Sequence, residues 1–333
     1  MARMSAPPVL LLSRDSIAKL ATTREYLAAM ETAFADLAAR RFEVPAVGHV
    51  PGVGGTFHIK AAQRSGSPAL AVIKVNGNFP NNRARHDLPT IQGFIALLDA
   101  DRGCVLALMD SIEITARRTA AATALAAKYL AMPGARSLAM IGCGVQAAYH
   151  LEALRDVASI EAVTFCDPRD EAANAFGARV RELGLNARNV SDAKTAARDA
   201  DIVVTVTTST HPLLALADID PGTFVAGVGA DNPSKHELAA DLMQASCIIV
   251  DSGAQASTMG DLHHAIAAGA MKLTDVRSDL ADLVAGKSAG RSSDAERWIF
   301  DSTGLSIQDL AAAEMIYERA QAAGGVPEIL LSN

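Results

Sequence analysis

The chain has 333 residues, is 50% hydrophobic and 20% charged, and carries a formal net charge of −7. This composition excludes a disordered protein, and the length predicts about two domains of roughly 150 residues. The negative charge argues against a nucleic acid or an anionic membrane as partner, so we expect the function in a small-molecule pocket.

The first third of the chain is predicted to be a mixed α+β domain. A helix over 22–40 precedes strands over 56–62, 69–75, 91–99 and 104–109, and an Ala-rich helix over 115–130 follows. Alternation places Lys74 on the same strand face as Leu70 and Val72, and His58 and Lys60 together on the neighbouring strand. We interpret Lys74 as a functional cation in a partly dry cleft and Lys60 as a snorkelling edge residue.

Two adjacent arginines, Arg117 and Arg118, are predicted near the start of the helix over 115–130. A cation at a helix N-terminus opposes the helix dipole, so at least one of them needs another reason to be there. Binding of a substrate carboxylate is such a reason.

From residue 137 onward, short apolar runs alternate with helical stretches, which indicates a parallel sheet covered by helices. The predicted strands cover 137–141, 162–166, 201–206, 223–228 and 247–250. The predicted helices cover 146–156, 169–183, 193–198, 235–243 and, near the C-terminus, 306–323, with Asp309, Glu314 and Arg319 on the solvent side of the last.

A GxGxxA motif, Gly142 to Ala147, lies between the first parallel strand and its helix. In that context the first glycine permits a tight turn, the second allows a pyrophosphate to approach, and the helix N-terminus offers free N–H groups. An ordinary strand-to-helix turn is the alternative interpretation.

The ends of the later strands carry further candidates. Asp167 follows the second strand, where an acid can bond an adenosine ribose, which favours NAD(H). Arg169 leaves NADP(H) possible, and a simple turn at Pro168 is the alternative. Thr207 and Thr208 are small and polar, as expected either for residues that line the cofactor or for a solvated loop. Asp231 follows a Gly-rich strand end and is either a catalytic acid or the N-cap of the helix over 235–243.

No metal site is predicted, because the four cysteines form no CxxC pair and the remaining histidines lack carboxylate neighbours at metal spacing. The same cysteine pattern indicates a reducing compartment. The apolar run 7–12 is too short for a signal peptide and 138–151 is too short for a bilayer span. We therefore expect a cytoplasmic protein without a membrane partner.

Five motifs together resemble the ornithine cyclodeaminase/mu-crystallin family: KVNG at 74–77, ITARRTAA at 114–121, IGCGVQA at 141–147, GADNPSKHEL at 229–238 and FDSTG at 300–304. The resemblance implies a homodimer formed through the N-terminal domain, a Rossmann domain for a nicotinamide cofactor, and a site between the domains for a small amino or imino acid. The stretch FHIK at 57–60 departs from the cyclodeaminase pattern, in which a carboxylate is expected near His58.

The predicted fold class is therefore α/β: a Rossmann-type doubly wound parallel sheet over 119–305, plus a mixed α+β substrate-binding and dimerisation domain over 1–118 on which the C-terminal segment 306–333 packs. The resemblance implies that Arg118 holds the substrate carboxylate, that Lys74 lies beside the reacting nitrogen, and that Asp231 is the acid–base or amine partner. With the residues argued above, the predicted site has three groups: catalytic Lys74 and Asp231; substrate-binding Arg118, Lys60, His58 and Asn76; and cofactor-binding Gly142, Gly144, Val145, Gln146, Asp167, Arg169, Thr207, Thr208, Val228 and Thr119.

The predicted function is hydride transfer between nicotinamide and the Cα of a small α-amino or α-imino acid, as in a ketimine or pyrroline-2-carboxylate reductase or an amino-acid dehydrogenase. Two alternatives remain open: an ornithine cyclodeaminase, which recycles NAD and releases ammonia, and a non-catalytic binding protein of the mu-crystallin type.

Overall fold

A computed structural model describes residues 7–44 and 47–331. Residues 1–6 and 332–333, at the ends of the predicted domains, and residues 45–46 lie outside the described residues. The chain forms two compact units: the first combines Met1–Arg118 with Leu305–Asn333, and the second is Thr119–Gly304. None of the helices in the described ranges is long and apolar enough to cross a membrane.

The first unit is organised around a mostly antiparallel sheet. Its strands are β1 (Val9–Leu12), β2 (Phe42–Glu43), β3 (Gly48–Gly52), β4 (Gly55–Arg64), β5 (Leu70–Asn78), β6 (Ile91–Asp99), β7 (Val105–Asp110) and, from the C-terminus, β18 (Glu328–Ile329). They are ordered β18-β1-β7-β6-β5-β4-β2, with β3 also paired to β4. The β1–β7 pair is parallel, and the other pairs of this sheet are antiparallel.

Helices cover one face of this sheet. They are α1 (Arg14–Leu20), α2 (Thr23–Ala38), the first residues of α4 (Ser111–Leu130) and α12 (Ser306–Ala323). The short helix α3 (Asn82–His86) has no buried residue. A capping box between Thr22 and Glu25 starts α2. Helix α12 packs against α2 and against β4, β5 and β6. The C-terminal helix thereby buries the same sheet face that carries Leu70, Val72 and Lys74.

The second unit contains a parallel sheet. Its strands are β8 (Ser137–Ile141), β9 (Ala162–Cys166), β10 (Asn186–Asn189), β11 (Ile202–Thr205), β12 (Thr210–Leu214), β13 (Phe224–Gly227), β14 (His236–Leu238), β15 (Cys247–Val250), β16 (Ser278–Asp279) and β17 (Trp298–Asp301). The main sheet is ordered β10-β9-β8-β11-β13-β17-β15-β16, and β12 and β14 pair separately. The order reverses between β8 and β11, which makes the ends of these strands the expected ligand position.

Helices pack around this sheet. They are α5 (Val145–Leu154), α6 (Asp170–Glu182), α7 (Ala193–Ala197), α8 (Ala240–Gln244), α9 (Gly253–Ala256), α10 (Asp261–Ala267) and α11 (Leu280–Val284), with 3-10 turns at Leu216–Asp218 and Leu273–Asp275. Every residue of β11, β13 and β17 is buried, which explains their continuous apolar sequences. The predicted combination of a Rossmann-type parallel sheet with a mixed α+β part is confirmed.

Two predicted elements were wrong in detail, and a central strand was missed. Helix α4 begins at Ser111, because the Asp110 side chain accepts hydrogen bonds from the N–H groups of Ile112 and Glu113 and so caps the helix four residues earlier than expected. The predicted helix over 235–243 is instead strand β14 followed by the short helix α8. Strand β17, central in the sheet, was missed because its apolar run has three residues and ends in the charged Asp301, unlike the wholly apolar β15.

Candidate functional site

A buried cluster of charges lies in the first unit, where β5, α4 and α12 meet. Lys74 Nζ lies 2.6 Å from Asp309 Oδ2, and Arg118 Nε donates to Asp309 Oδ1 at 3.0 Å. The side chains of Lys74 and Arg118 are 5% exposed and that of Asp309 is completely buried. Arg118 Nη1 also donates to Gln308 Oε1. One carboxylate thus holds two cations from different elements, which we call the Lys74–Arg118–Asp309 cluster.

Polar neighbours of this cluster come from the same sheet face. Lys60 is directly opposite Lys74 in the β4–β5 ladder, and His58 is opposite Asn76. The Ser111 hydroxyl donates to Asn76 Oδ1 at 2.6 Å. Strand β4 pairs with β3 over 55–59 and with β2 over 63–64, so Lys60 lies between these two pairings, with its ladder partner on β5 alone. It is half-buried, and its interpretation as a snorkelling edge residue stays a prediction. The structure thus brings Lys74, Lys60 and Arg118 together.

Burial and charge oppose each other in the cluster. Burial has the largest effect on the pKa of Lys74; it lowers this pKa, Asp309 raises it, and the nearby cations Arg118 and Lys60 lower it, with a net pKa of about 7. Burial alone would raise the pKa of Asp309, yet Arg118 and Lys74 together hold it below its usual value. Lys74 can therefore exist with or without its proton near neutral pH, as a proton-transferring group must.

Asp309 was placed wrongly by the sequence interpretation, which had it on the solvent side of the last helix. It is fully buried and central to the cluster. Ala312, Ala313 and Ile316, three, four and seven residues further along α12, are buried as well. Because residues 306–313 are all buried, the first two turns of α12 are packed on every side, and helical periodicity does not mark one packed face there.

The two adjacent arginines have different surroundings. Arg117 Nε donates to Glu113 Oε1 at 2.6 Å, and its guanidinium lies 5.8 Å from the centre of the Tyr26 ring. Only Arg118 points into the charge cluster. Both arginines lie in the second turn of α4 and not at its N-terminus, so the helix-dipole argument for them was wrong, although the choice of Arg118 does not depend on it.

The glycine turn of the second unit fits a dinucleotide. Gly142 has a φ of +93°, and a Cβ at this position would lie 2.8 Å from the Val206 carbonyl oxygen. Gly144 precedes α5 and makes no side-chain cap hydrogen bond, so Val145 and Gln146 present their N–H groups at the helix start. This arrangement of a tight turn and an uncapped helix N-terminus can hold a pyrophosphate.

Asp167 lies at the end of β9, next to this turn. Its Oδ2 accepts the Cys143 N–H and Arg169 Nη2, both at 2.8 Å, and its Oδ1 accepts the Arg169 N–H and Nε at 2.9 Å. Burial would raise the pKa of Asp167, but these hydrogen bonds hold it below its usual value. An ionised carboxylate beside a pyrophosphate turn can accept bonds from ribose hydroxyls, and the alternative of a simple turn does not explain its link to Cys143.

Glu237, which the sequence analysis did not select, connects the ends of β11 and β13. It accepts the Thr205 hydroxyl, the Thr207 N–H and the Gly229 N–H, each at 2.7 Å. Burial raises the pKa of Glu237 against these hydrogen bonds. Thr207 is consequently fixed in position, whereas its neighbour Thr208 is exposed.

Asp231 lies just beyond this connection. Its side chain is 55% exposed and pairs with Lys235 Nζ at 2.7 Å. No helix begins near Lys235, so the alternative in which Asp231 caps a helix is wrong. Of the two remaining predicted cofactor residues, Val228 is buried at the end of β13, and Thr119 is buried on α4.

Known proteins similar to this chain share its length. The model of the ornithine cyclodeaminase/mu-crystallin family matches residues 9–324. Alanine dehydrogenase of Archaeoglobus fulgidus is 34% identical over 311 residues, covering 93% of this chain and 95% of the relative. Iminosuccinate reductase of Paracoccus denitrificans is 35% identical over 322 residues, covering 96% and 99%.

Solved structures agree with this chain closely. An archaeal alanine dehydrogenase dimer with bound NAD superimposes with a TM-score of 0.93 at 33% identity, over 98% of this chain and 100% of that chain. The Δ(1)-pyrroline-2-carboxylate reductase of Thermococcus litoralis, in complex with NADH and L-proline, gives 0.92 at 30% identity, over 96% and 100%. Since the family match and these relatives all extend over nearly the whole chain, the chain belongs to the ornithine cyclodeaminase/mu-crystallin family.

Proposed function

We propose that this protein is an NAD(H)-dependent oxidoreductase that transfers hydride between the nicotinamide and the Cα of a small α-amino or α-imino acid. The Lys74–Arg118–Asp309 cluster carries the proposal, because two buried cations around one carboxylate leave a positive excess for an anionic substrate. Relatives named as alanine dehydrogenase, iminosuccinate reductase and pyrroline-2-carboxylate reductase support it, since their names share this reaction type.

Arg118 is the proposed substrate-carboxylate ligand. Its Nε and Nη1 are engaged by Asp309 and Gln308, and within the described residues Nη2 has no hydrogen-bond partner. The buried Gln308 Nε2 likewise has none in residues 7–44 and 47–331. A substrate carboxylate that accepts from both groups would satisfy the buried Gln308 amide and orient Cα, which makes the transfer effectively unimolecular.

Lys74 is the proposed proton donor to the imine nitrogen in reduction and the proton acceptor in oxidation. An imine must be protonated to accept hydride, and a buried amine with a pKa of about 7 can supply that proton at neutral pH. Lys60, His58 and Asn76, on the same sheet face, are proposed to line the substrate position. Asp231 stays a predicted acid–base residue.

The cofactor proposed is NAD(H), which supplies or accepts the hydride when bound. Gly142, Gly144 and the first N–H groups of α5 would hold its pyrophosphate, and Asp167 its adenosine ribose. The solved alanine dehydrogenase and pyrroline-2-carboxylate reductase carry NAD and NADH, which supports this choice.

A homodimer formed through the first unit is also proposed. The sheet face opposite Lys74 exposes large apolar side chains: Phe57, Ile73 and Phe94 are each between 38% and 46% exposed on neighbouring strands. A second copy would cover this face. Light scattering should give twice the chain mass, and Phe94→Asp should reduce it; a wild-type monomer would contradict the proposal. The cytoplasmic location stays a prediction from the cysteine pattern.

The deciding experiment follows absorbance of the nicotinamide with a panel of cyclic and linear imino acids, alongside ammonia release from ornithine. Imine-dependent loss of NADH supports the proposal. Ammonia release without net change in NADH would identify an ornithine cyclodeaminase instead, and binding without either reaction would identify a binding protein of the mu-crystallin type. Either of these results would overturn the proposed reaction.

A further inference from the structure

We infer that Asp309 is a positioning residue for the proposed reaction: its carboxylate fixes Arg118 for the substrate carboxylate and keeps Lys74 able to carry a proton. The inference rests on the proposed function, because it assigns the task of a residue that touches both proposed substrate-binding groups.

The geometry of Arg118 is the first support. A guanidinium can rotate about its own side chain unless its donors are held, and here Nε is held by Asp309 at 3.0 Å and Nη1 by Gln308. Both partners are adjacent residues on α12, which is packed against the sheet. They fix the plane of the guanidinium and leave the Nη2 side for a ligand, which is the geometry that two-point carboxylate recognition needs.

The charges around Lys74 are the second support. Lys74 faces Asp309 from α12, Arg118 from α4 and Lys60 from β4, and its partner on β6 is the uncharged Ile95. Of these four residues, Asp309 is thus the one with a negative charge. Without it, a buried lysine would stand beside two cations, and both burial and like charge would drive off its proton.

The packing of Asp309 is the third support. Its completely buried carboxylate contacts two cations at 2.6 and 3.0 Å, so it is paired on both oxygens. An ordinary structural ion pair of the same helix is available for comparison: Glu314, five residues further along α12, pairs with Arg64 Nη2 at 2.6 Å and touches neither Lys74 nor Arg118. Variants of Asp309 and Glu314 can therefore separate an effect on Lys74 and Arg118 from a general effect on the packing of α12.

The test compares Asp309→Asn with Glu314→Gln in the full-length protein. Lysines are labelled with ¹³C at Cε, and the Lys74 signal, identified by its loss in Lys74→Met, is followed by NMR as pH changes, without substrate. In Asp309→Asn the titration midpoint of Lys74 should move about 1–3 pH units lower, because a neighbouring opposite charge is removed. In Glu314→Gln it should not move.

Kinetics supply the second readout. In Asp309→Asn, the pH at which kcat/KM for imine reduction falls should be lower by the same interval as the NMR midpoint of Lys74. The KM for the substrate should also rise, because Arg118 is less well held. Asp309→Glu, which keeps the charge but displaces it by one methylene, should recover part of the pH dependence. A purely structural role would change melting temperature and leave the midpoint unmoved.

An unmoved Lys74 midpoint in folded Asp309→Asn overturns the inference. Should that variant not fold, Lys74→Met with ¹³C-labelled aspartate gives the reciprocal test: loss of the cation should raise the pKa of Asp309, and an unchanged midpoint again overturns the inference. These titrations need no turnover, so they remain decisive if the imine panel contradicts the proposed function.

Discussion

Replacing Asp167 with serine tests how the second unit chooses its cofactor. In the native protein, Asp167 would accept ribose hydroxyls of NAD(H) while Arg169 neutralises it through Nε and Nη2. The serine variant removes the acceptor and releases Arg169, whose side chain is 67% exposed and can turn toward a 2′-phosphate. We expect the preference for NADH over NADPH to shrink or reverse.

The magnitude follows from these contacts. A hydrogen bond to a charged group is worth about 1.5–3 kcal/mol, so its loss should weaken NADH binding at least ~10-fold. A surface ion pair is worth up to about 1 kcal/mol, so the released Arg169 should strengthen NADPH binding by only a few-fold. Together these contributions change the ratio of the two dissociation constants by at least ~10-fold.

Fluorescence titration of NADH and NADPH without substrate measures both constants. Asp167→Asn is the control for a loosened turn, because its amide oxygen can still accept the Cys143 N–H while the charge is gone. The double variant Asp167→Ser/Arg169→Ala should lose the gain for NADPH. The reasoning is refuted if the unmodified protein binds NADPH as tightly as NADH, or if the ratio in Asp167→Ser stays within twofold of the native value.

Three further predictions concern the remaining charged groups. Arg118→Lys should lower kcat/KM about 10- to 100-fold without changing NADH affinity, since an ammonium cannot replace the guanidinium fork; normal turnover would show that another residue binds the carboxylate. Lys74→Met and Asp231→Asn should each lower turnover per folded molecule by roughly 10² to 10⁴. Of the two, only Lys74→Met should also lower the melting temperature, because it leaves Asp309 with one cationic partner. Burial raises the pKa of Asp301 to about 7, so its contribution to stability is present in acid and is lost as pH rises through 7. The melting temperature of Asp301→Asn relative to the native protein should therefore increase from pH 5 to pH 8, and a constant difference would contradict the assigned protonation.

Much of the second unit follows from local sequence alone. Strands β8, β9 and β15 have the predicted bounds, because a strand buried on both faces must be a short continuous apolar run. The glycine turn was also predictable. Gly142 has a φ of +93° and lies against the backbone of Val206, so only glycine fits there, and the GxGxxA motif shows that glycine directly.

The sequence determined these local features, and it also marked Lys74 as a cation aligned with apolar residues, whereas the choice of Arg118 over Arg117 came from the family resemblance. The residue that neutralises Lys74 and Arg118 comes from a distant part of the chain, so it depends on how the elements pack. Asp309 is 191 residues from Arg118 along the chain, and it reaches the cluster because α12 returns from the C-terminus to cover the first sheet. Glu237 likewise depends on the β12–β14 pairing, a non-local contact. Which residues pair with a buried charge depends on which elements pack together. That packing is set by the apolar surface that whole helices and sheets bury, so a local sequence pattern does not show it.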